Sequence, residues 1–412
     1  MKPIVTTRLS YSGAILLSTS LLCASETGPD PVLLHNGVQT LPLANLSYAH
    51  ERLKLHPYIL FGGGYDDNPR QESGSATDDV FFDWSVGCAA AWDGVDRHLG
   101  LIGALFQRRY HNIQSRDRTG GSLDVRYRYH GPDVDVSTRL KWDRSDDPTI
   151  ATGRSLERDV ILANALITRP GNRSRGESEI RLVMADYRED ATGFRANDRD
   201  LAVGEWRFSQ IALGDGGQEW GIHLTGLGGR YLDAASPFQN YVGGRLNGSG
   251  RWPLSESFRI QAHLGIEGRA YGDPYRGDDA YDDATSLEPI GGASATWSFG
   301  PTGIVRLAIA SQLAESTTSN FARDTRCDAT ISDRILTRWQ VGALIGASAY
   351  HDHSGGNGPT YQAQEVRFGG NVTYDVYPGV TTDLRVLWRN YDADPGQTYD
   401  QTVITLQLAI VL

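Results

Sequence analysis

The basic side chains of this chain are almost all arginines. The sequence has 36 arginines and only three lysines among 412 residues. A guanidinium group stays ionised and can donate two parallel hydrogen bonds to a carboxylate, sulfate or phosphate. The arginines therefore have two interpretations: they line a passage that binds acidic solutes, or they pair with Asp and Glu in structural ladders. Acidic residues predicted across the hairpins favour the ladders.

Other reactive side chains give weaker signals. The segment Asp273–Asp283 is densely acidic, but it lacks the fixed spacing of a calcium loop, so a solvated loop is the favoured interpretation. His351, Asp352 and His353 are consecutive, and consecutive side chains of an extended chain point to opposite faces. The two cysteines after residue 25, Cys88 and Cys327, are isolated, and their pairing is left open. We expect no metal site.

Catalytic motifs are absent from the sequence. There is no Gly-x-Ser-x-Gly, no His-Glu-x-x-His, no Cys-x-x-Cys and no phosphate-binding loop. We therefore expect a protein that is not an enzyme and that uses no cofactor.

The first residues have the pattern of a secretory signal. Lys2 and Arg8 precede a short apolar run, Ala14–Leu22, and small residues follow it, which predicts a signal peptide over residues 1–25. Its removal leaves 37 basic and 50 acidic residues, a net charge of −13, which argues against nucleic acid as a partner. No later run of 18 apolar residues exists, so no transmembrane helix is predicted.

From residue 56 to residue 412 the sequence repeats one theme. Segments of about ten residues alternate apolar with polar side chains and then break at Gly, Pro, Asn or Asp, which is typical of transmembrane β-barrels. In one such segment Leu123 and Val125 alternate with Asp124, Arg126 and Arg128. We predict strand starts near residues 56, 80, 98, 119, 134, 157, 175, 199, 218, 239, 258, 285, 303, 325, 336, 363, 381 and 398.

These segments predict an all-β fold: a transmembrane, antiparallel, up-and-down β-barrel of about eighteen strands, with sixteen as the alternative. The breaks alternate between short and long, as in barrels with short periplasmic turns and long outer loops, so both termini are expected on the short-turn side. Residues 26–55 lack the pattern and are predicted to be a periplasmic tail or a segment in the barrel mouth.

Aromatic residues at strand ends predict two belts at the membrane–water interfaces, tyrosines at the long-loop end and tryptophans at the short-turn end. The predicted belts consist of Tyr65, Trp92, Tyr110, Tyr187, Trp220, Tyr231, Trp252, Tyr271, Trp297, Trp339, Tyr350 and Tyr391. The charged face of each strand is expected to line the lumen. The predicted lumen residues are Asp124, Arg126, Arg128, Asp135, Arg139, Lys141, Arg259, Glu267, Arg367, Asp383, Arg385 and Arg389.

The register of one hairpin can be predicted in detail. If Gly131 and Pro132 form a two-residue turn, Asp135 lies opposite Arg128 and Asp124 lies opposite Arg139.

One motif has a known counterpart. The run Tyr58-Ile59-Leu60-Phe61-Gly62-Gly63-Gly64-Tyr65-Asp66-Asp67-Asn68, followed by a polar loop and Asp79-Val80-Phe81-Phe82, resembles the first hairpin of β-barrel porin families. These families include barrels found with exopolysaccharide-secretion operons. The resemblance implies the outer membrane of a Gram-negative bacterium, insertion by the outer-membrane machinery, and contact with lipid.

Two functions remain open at this point. One is a channel for diffusion or export of small polar solutes or polysaccharide, because barrels of this size leave an aqueous bore. The other is a closed structural or adhesive barrel that acts through its extracellular loops. Whether the bore is filled, by residues 26–55 or by folded-in loops, discriminates between them.

Overall fold

The computed structural model describes residues 48–50, 53–71, 77–145, 158–187, 200–232, 240–272, 285–314, 322–352, 362–394 and 398–411. The predicted signal peptide, the acidic segment 273–283 and His353 lie outside these ranges. Among the described residues no helix has the length and apolar character needed to cross a membrane.

The described residues form β-strands and one 3-10 turn at Gln114–Arg116. A three-residue strand, β1 (Tyr48–His50), precedes the barrel. The barrel strands are β2 (Leu53–Asp66), β3 (Asp79–Asp93), β4 (Arg97–Tyr110), β5 (Arg118–His130), β6 (Asp135–Ser145), β7 (Arg158–Pro170), β8 (Ser174–Tyr187), β9 (Leu201–Leu213), β10 (Glu219–Tyr231), β11 (Tyr241–Pro253), β12 (Phe258–Tyr271), β13 (Thr285–Phe299), β14 (Gly303–Ala314), β15 (Ala322–Leu336), β16 (Trp339–Asp352), β17 (Gln362–Tyr377), β18 (Val380–Asp394) and β19 (Tyr399–Val411).

Every barrel strand pairs antiparallel with its neighbours in sequence, and β19 pairs with β2, so the sheet is closed. The predicted eighteen-strand barrel is therefore confirmed, and every predicted strand start lies within three residues of the observed one. β1 pairs with β2 from Tyr48↔Leu55 to His50↔Leu53, beyond the last β19 partner at Tyr58↔Val411. β1 thus continues the wall of the barrel at its edge.

The connections alternate in length around the barrel. Those at 94–96, 131–134, 171–173, 214–218, 254–257, 300–302, 337–338 and 378–379 are short, and they lie on the side where β2 begins and β19 ends. The loops on the other side are mostly longer. Gly300 and Gly379, with φ of 59° and 83°, lie in two of the tightest turns, where a side chain would strain the backbone. Both ends of the barrel sheet are therefore on the short-turn side, as predicted.

The short turn between β5 and β6 corrects the predicted register. The Gly131–Val134 connection has four residues, closed by the Gly131 N–H to Val134 carbonyl hydrogen bond at 2.9 Å. This places Asp135 opposite His130 and Arg139 opposite Arg126, so the predicted pairing was wrong by two residues. Successive side chains on one face lie two residues apart, so the predicted faces do not change.

Side chains alternate between two faces along each strand. In β18 the exposed Leu384 and Val386, at 45% and 42%, alternate with Asp383 and Arg389, at 9% and 8%. The same contrast occurs in β10, where Ile222 is 67% exposed and His223 is 2% exposed. One face of these strands is therefore apolar and the other polar, although near the β2–β19 junction the polar face also carries a buried apolar cluster of Tyr58, Leu60, Ala409 and Val411.

Candidate functional site: the inner wall

The polar face is on the concave side of the barrel. Arg367 in β17 donates to Asp328 in β15 at 2.8 Å, across the intervening β16. Arg175 in β8 similarly lies 3.3 Å from Glu219 in β10. Long side chains converge across a skipped strand on the concave side of a curved sheet, so we call the face that carries these pairs the inner wall. The face that carries Leu384 and Val386 is the outer face.

All twelve of the predicted lumen residues belong to the polar face. By register, these are Asp124, Arg126, Arg128, Asp135, Arg139, Lys141, Arg259, Glu267, Arg367, Asp383, Arg385 and Arg389. The inner wall also contains charged residues that the sequence patterns did not single out. Two of them are Glu205 and Arg207 in β9. The sequence did not reveal them because the alternation of apolar and polar residues in that strand is irregular.

Most arginines of the inner wall contact a carboxylate. Asp124 accepts hydrogen bonds from Arg126 Nε at 3.0 Å and from Arg139 Nε at 3.0 Å. Glu267 has no exposed surface, and its two oxygens accept from Arg245 Nε and Arg269 Nε, each at 2.8 Å. Such pairs cancel charge locally and hold neighbouring strands in register. The geometry therefore favours structural ladders for these arginines.

The tyrosines at the long-loop end correct the predicted belt. Five of them have exposures between 2% and 9% and lie on the polar face: Tyr110, Tyr231, Tyr271, Tyr350 and Tyr391. A ring at a lipid interface would be exposed in the isolated protein. Their position at strand ends was predicted, but sequence position does not show which side of the sheet a terminal ring occupies. The side chain of Tyr187 lies outside the described residues.

The remaining aromatic residues of the predicted belts lie on the apolar face. Tyr65 does so at the long-loop end, with 38% exposure. At the short-turn end the same holds for Trp92, Trp220, Trp252, Trp297 and Trp339.

The wall of the barrel separates between β13 and β14 at the long-loop end, while β15 stays paired with β16 as far as Ala322↔Asp352. Pairing of β14 with β13 stops at Gly291↔Ser311, whereas β14 stays paired with β15 as far as Ala314↔Ala322. Leu313 has the register of the outer face, yet it is 4% exposed and packs in a cluster with Leu227, Tyr241 and Tyr271 of the inner wall. Its carbonyl also accepts a hydrogen bond from Arg269 at 3.4 Å.

The opposite face of the same hairpin end is also covered. Ala314 and Ala322, 3% and 0% exposed, belong to a cluster of buried residues that extends to Tyr350 in β16, Tyr391 in β18 and Tyr399 in β19. Arg323 forms an ion pair with Glu288 of β13. With contacts on both faces, the end of this hairpin bends toward the bore while it stays joined to β16, and it narrows the mouth at the long-loop side.

The Tyr65-Asp66-Asp67-Asn68 motif lies where the last strand meets the first. Asp66 accepts two hydrogen bonds from Gln401 Nε2, at 2.9 and 3.0 Å. The Asp67 N–H donates to the Thr402 carbonyl at 3.1 Å, and the Thr402 N–H donates to Asp67 Oδ1. We call Asp66, Asp67, Asn68, Gln401 and Thr402 the closure site, because their contacts extend the β2–β19 pairing beyond Asp66↔Val403.

No cluster of three or more His, Cys, Asp and Glu side chains arranged to hold a metal occurs among the described residues. Cys88 and Cys327 are both free. The buried His223 hydrogen-bonds through its two ring nitrogens to Ser209 and Ser249, each at 2.7 Å. These contacts connect β9, β10 and β11, which is a structural role for this histidine.

Known proteins offer similarity in structure only. No protein-family profile matches the chain. A search of curated proteins also gave no match. Solved structures similar to it include Pseudomonas aeruginosa OpdK with vanillate, at 10% identity and a TM-score of 0.47, covering 87% of this chain and 99% of OpdK. P. aeruginosa OccK2 (OpdF) with glucuronate has 10% identity and a TM-score of 0.46, covering 87% and 98%. Acinetobacter baumannii OccAB3 has 8% identity and a TM-score of 0.44, covering 87% and 99%.

Proposed function

We propose that this protein is an outer-membrane channel through which small polar solutes diffuse. The observation that carries the proposal is the division of one closed sheet into an apolar outer face and an ionised inner wall. A closed sheet has no unpaired edge, so it satisfies its backbone hydrogen bonds in a lipid bilayer. A barrel of this strand number is wide enough for an aqueous bore.

The outer face supports the membrane part of the proposal. Large apolar side chains on adjacent strands are strongly exposed, among them Leu224 at 58%, Val242 at 68% and Leu264 at 74%. Exposing a continuous belt of such residues to water is unfavourable, whereas contact with lipid is not. In the membrane the short turns would face the periplasm and the long loops would face outward, as in known outer-membrane barrels.

The narrowed mouth supports small solutes over polymers. The hairpin end around Leu313 and Ala322 has contacts on both faces, so an extended polysaccharide would have to pass beside it. Paired arginines along the inner wall leave polar groups for hydrogen bonding with little free charge. The alternative, a closed structural or adhesive barrel, requires that residues 26–55 or this hairpin and the other loops fill the bore completely.

Swelling of proteoliposomes tests the proposal. Purified protein in liposomes should admit arabinose and glucose faster than larger oligosaccharides, so the swelling rate should fall steeply with solute size. Liposomes without protein are the control. A swelling rate that matches the control for every sugar would favour the closed barrel, and equal rates for all sizes would argue against a narrowed mouth.

A further inference from the structure

Three arginines of the inner wall, Arg128, Arg259 and Arg306, have no hydrogen-bond or ion-pair partner among the described residues. Arg259 in β12 and Arg306 in β14 differ from Arg128 because they flank the same strand, β13. The register places both opposite Thr296 of β13, one on each side. Their Cα atoms are therefore about 10 Å apart, the separation of two strand spacings.

Side chains at this separation do meet on the inner wall. Arg367 and Asp328 are likewise separated by one intervening strand, and their side chains are 2.8 Å apart. Arg175 and Glu219 reach each other in the same way, at 3.3 Å. In these pairs an arginine meets a carboxylate. At Thr296 two arginines occupy the corresponding positions on the flanking strands, and neither position holds a carboxylate.

The inner-wall positions of β13 and β15 next to the two arginines carry hydroxyl groups and no free carboxylate. Ser294 and Ser298 flank Thr296 on the same face of β13, and Thr330 lies opposite Arg306 on β15. The nearest carboxylate along β15 is Asp328, which is already bound to Arg367. The positive charge of Arg259 and Arg306 is therefore not cancelled by their neighbours.

We propose that Arg259, Arg306 and Thr296 form a binding site for an oxyanion, a carboxylate or sulfate group carried by a solute in the bore. Two guanidinium groups can each donate paired hydrogen bonds to such a group, and the threonine hydroxyl can donate a further one. All three residues lie a few residues from the turns 254–257 and 300–302, so the site is at the short-turn end of the bore. It specifies a solute class for the proposed channel and relies on that channel for access.

Block by sulfate in a planar bilayer tests the site. With potassium chloride on both sides, added sulfate should reduce the current through the wild-type protein in a saturable way. The variant Arg259→Gln/Arg306→Gln should need a half-blocking sulfate concentration at least about tenfold higher, since it loses the charge-assisted hydrogen bonds of two guanidinium groups. Arg169→Gln is the matched control, because Arg169 is exposed on the outer face of β7 near the same rim.

The outcomes separate the site from the channel. If the wild-type protein conducts but sulfate does not block it, the site is overturned and the channel stands. The same holds if sulfate blocks the wild type and the double variant equally. If the protein does not conduct at all, equilibrium dialysis of the detergent-solubilised barrel against radiolabelled sulfate decides. Binding to wild type and Arg169→Gln but not to the double variant supports the site, whereas equal or absent binding overturns it. Heat-dependent gel mobility would check that each variant is folded.

Discussion

Gln401 Nε2 in β19, the last strand, lies 2.9 and 3.0 Å from the two carboxylate oxygens of Asp66 in β2, the first strand of the barrel. Asp66 is 2% exposed and also accepts hydrogen bonds from the Asn68 N–H at 3.0 Å and the Tyr110 hydroxyl at 3.2 Å. One buried carboxylate therefore accepts hydrogen bonds from β19, from the loop after β2 and from β4. This arrangement closes the barrel at its long-loop end.

Replacing Asp66 with Ala should destabilise the barrel. Asn68 and Tyr110 would lose an acceptor, and Gln401 would keep only its hydrogen bond to the Asn68 carbonyl, at 3.2 Å. Buried donors without partners are costly. We expect the free energy of unfolding to fall by about 3 kcal/mol, measured by urea titration of tryptophan fluorescence in lipid vesicles. Asp133→Ala, in the turn 131–134, removes the same group outside the closure site and should change stability little. Equal effects of the two substitutions would contradict a role for Asp66 in closure.

Glu267 offers a second test, because it lies between Arg245 and Arg269 with no exposed surface. Glu267→Gln leaves two guanidinium groups without their countercharge and should lower the free energy of unfolding by about 3 kcal/mol. If the variant still forms channels, its reversal potential in a salt gradient should shift toward anion preference relative to wild type. An unchanged reversal potential and an unchanged free energy of unfolding would show that Glu267 does not neutralise the charge of Arg245 and Arg269.

The facing of β18 can be checked by labelling. In a background where Cys88 and Cys327 are replaced by Ser, Arg385→Cys should react with a membrane-impermeant thiol reagent in proteoliposomes. Val386→Cys should stay protected by lipid, because successive side chains of a strand point to opposite faces and Val386 lies on the outer face. Reaction at 386 with protection at 385 would reverse the assignment of inside and outside for the whole strand.

Shortening the β14–β15 hairpin should widen the channel. Joining Ser311 to Thr325, which are register partners, by an Asn-Gly turn removes Leu313 and Ala322 from the mouth. Single-channel conductance should rise above that of wild type. The matched control replaces residues 233–239, between β10 and β11, by the same turn. A conductance increase in the control alone would place the constriction elsewhere.

The alternation of side chains made the strands predictable. Each strand must present apolar residues to one face and polar residues to the other, so Leu384, Arg385 and Val386 identify their faces without any tertiary information. Breaks at Gly, Pro, Asn and Asp then locate the turns within a few residues.

Features that depend on contacts between distant strands were not predictable. Tyr350 and Tyr391 are buried because they pack around the hairpin end near Ala322, and no local pattern records that contact. The register of β5 and β6 depended on whether the turn after His130 has two or four residues, which the Gly131-Pro132 pair alone does not determine. The closure site likewise joins residues at opposite ends of the chain.

Single-channel recording in a planar bilayer tests the central claim, an open bore through this barrel, most directly. Purified protein should insert with discrete, stable conductance steps in potassium chloride, and the paired inner wall should give little preference between the two ions. Protein shown to be folded by its heat-dependent gel mobility, yet without conductance steps at any voltage or salt concentration, would contradict the channel and leave the closed structural barrel.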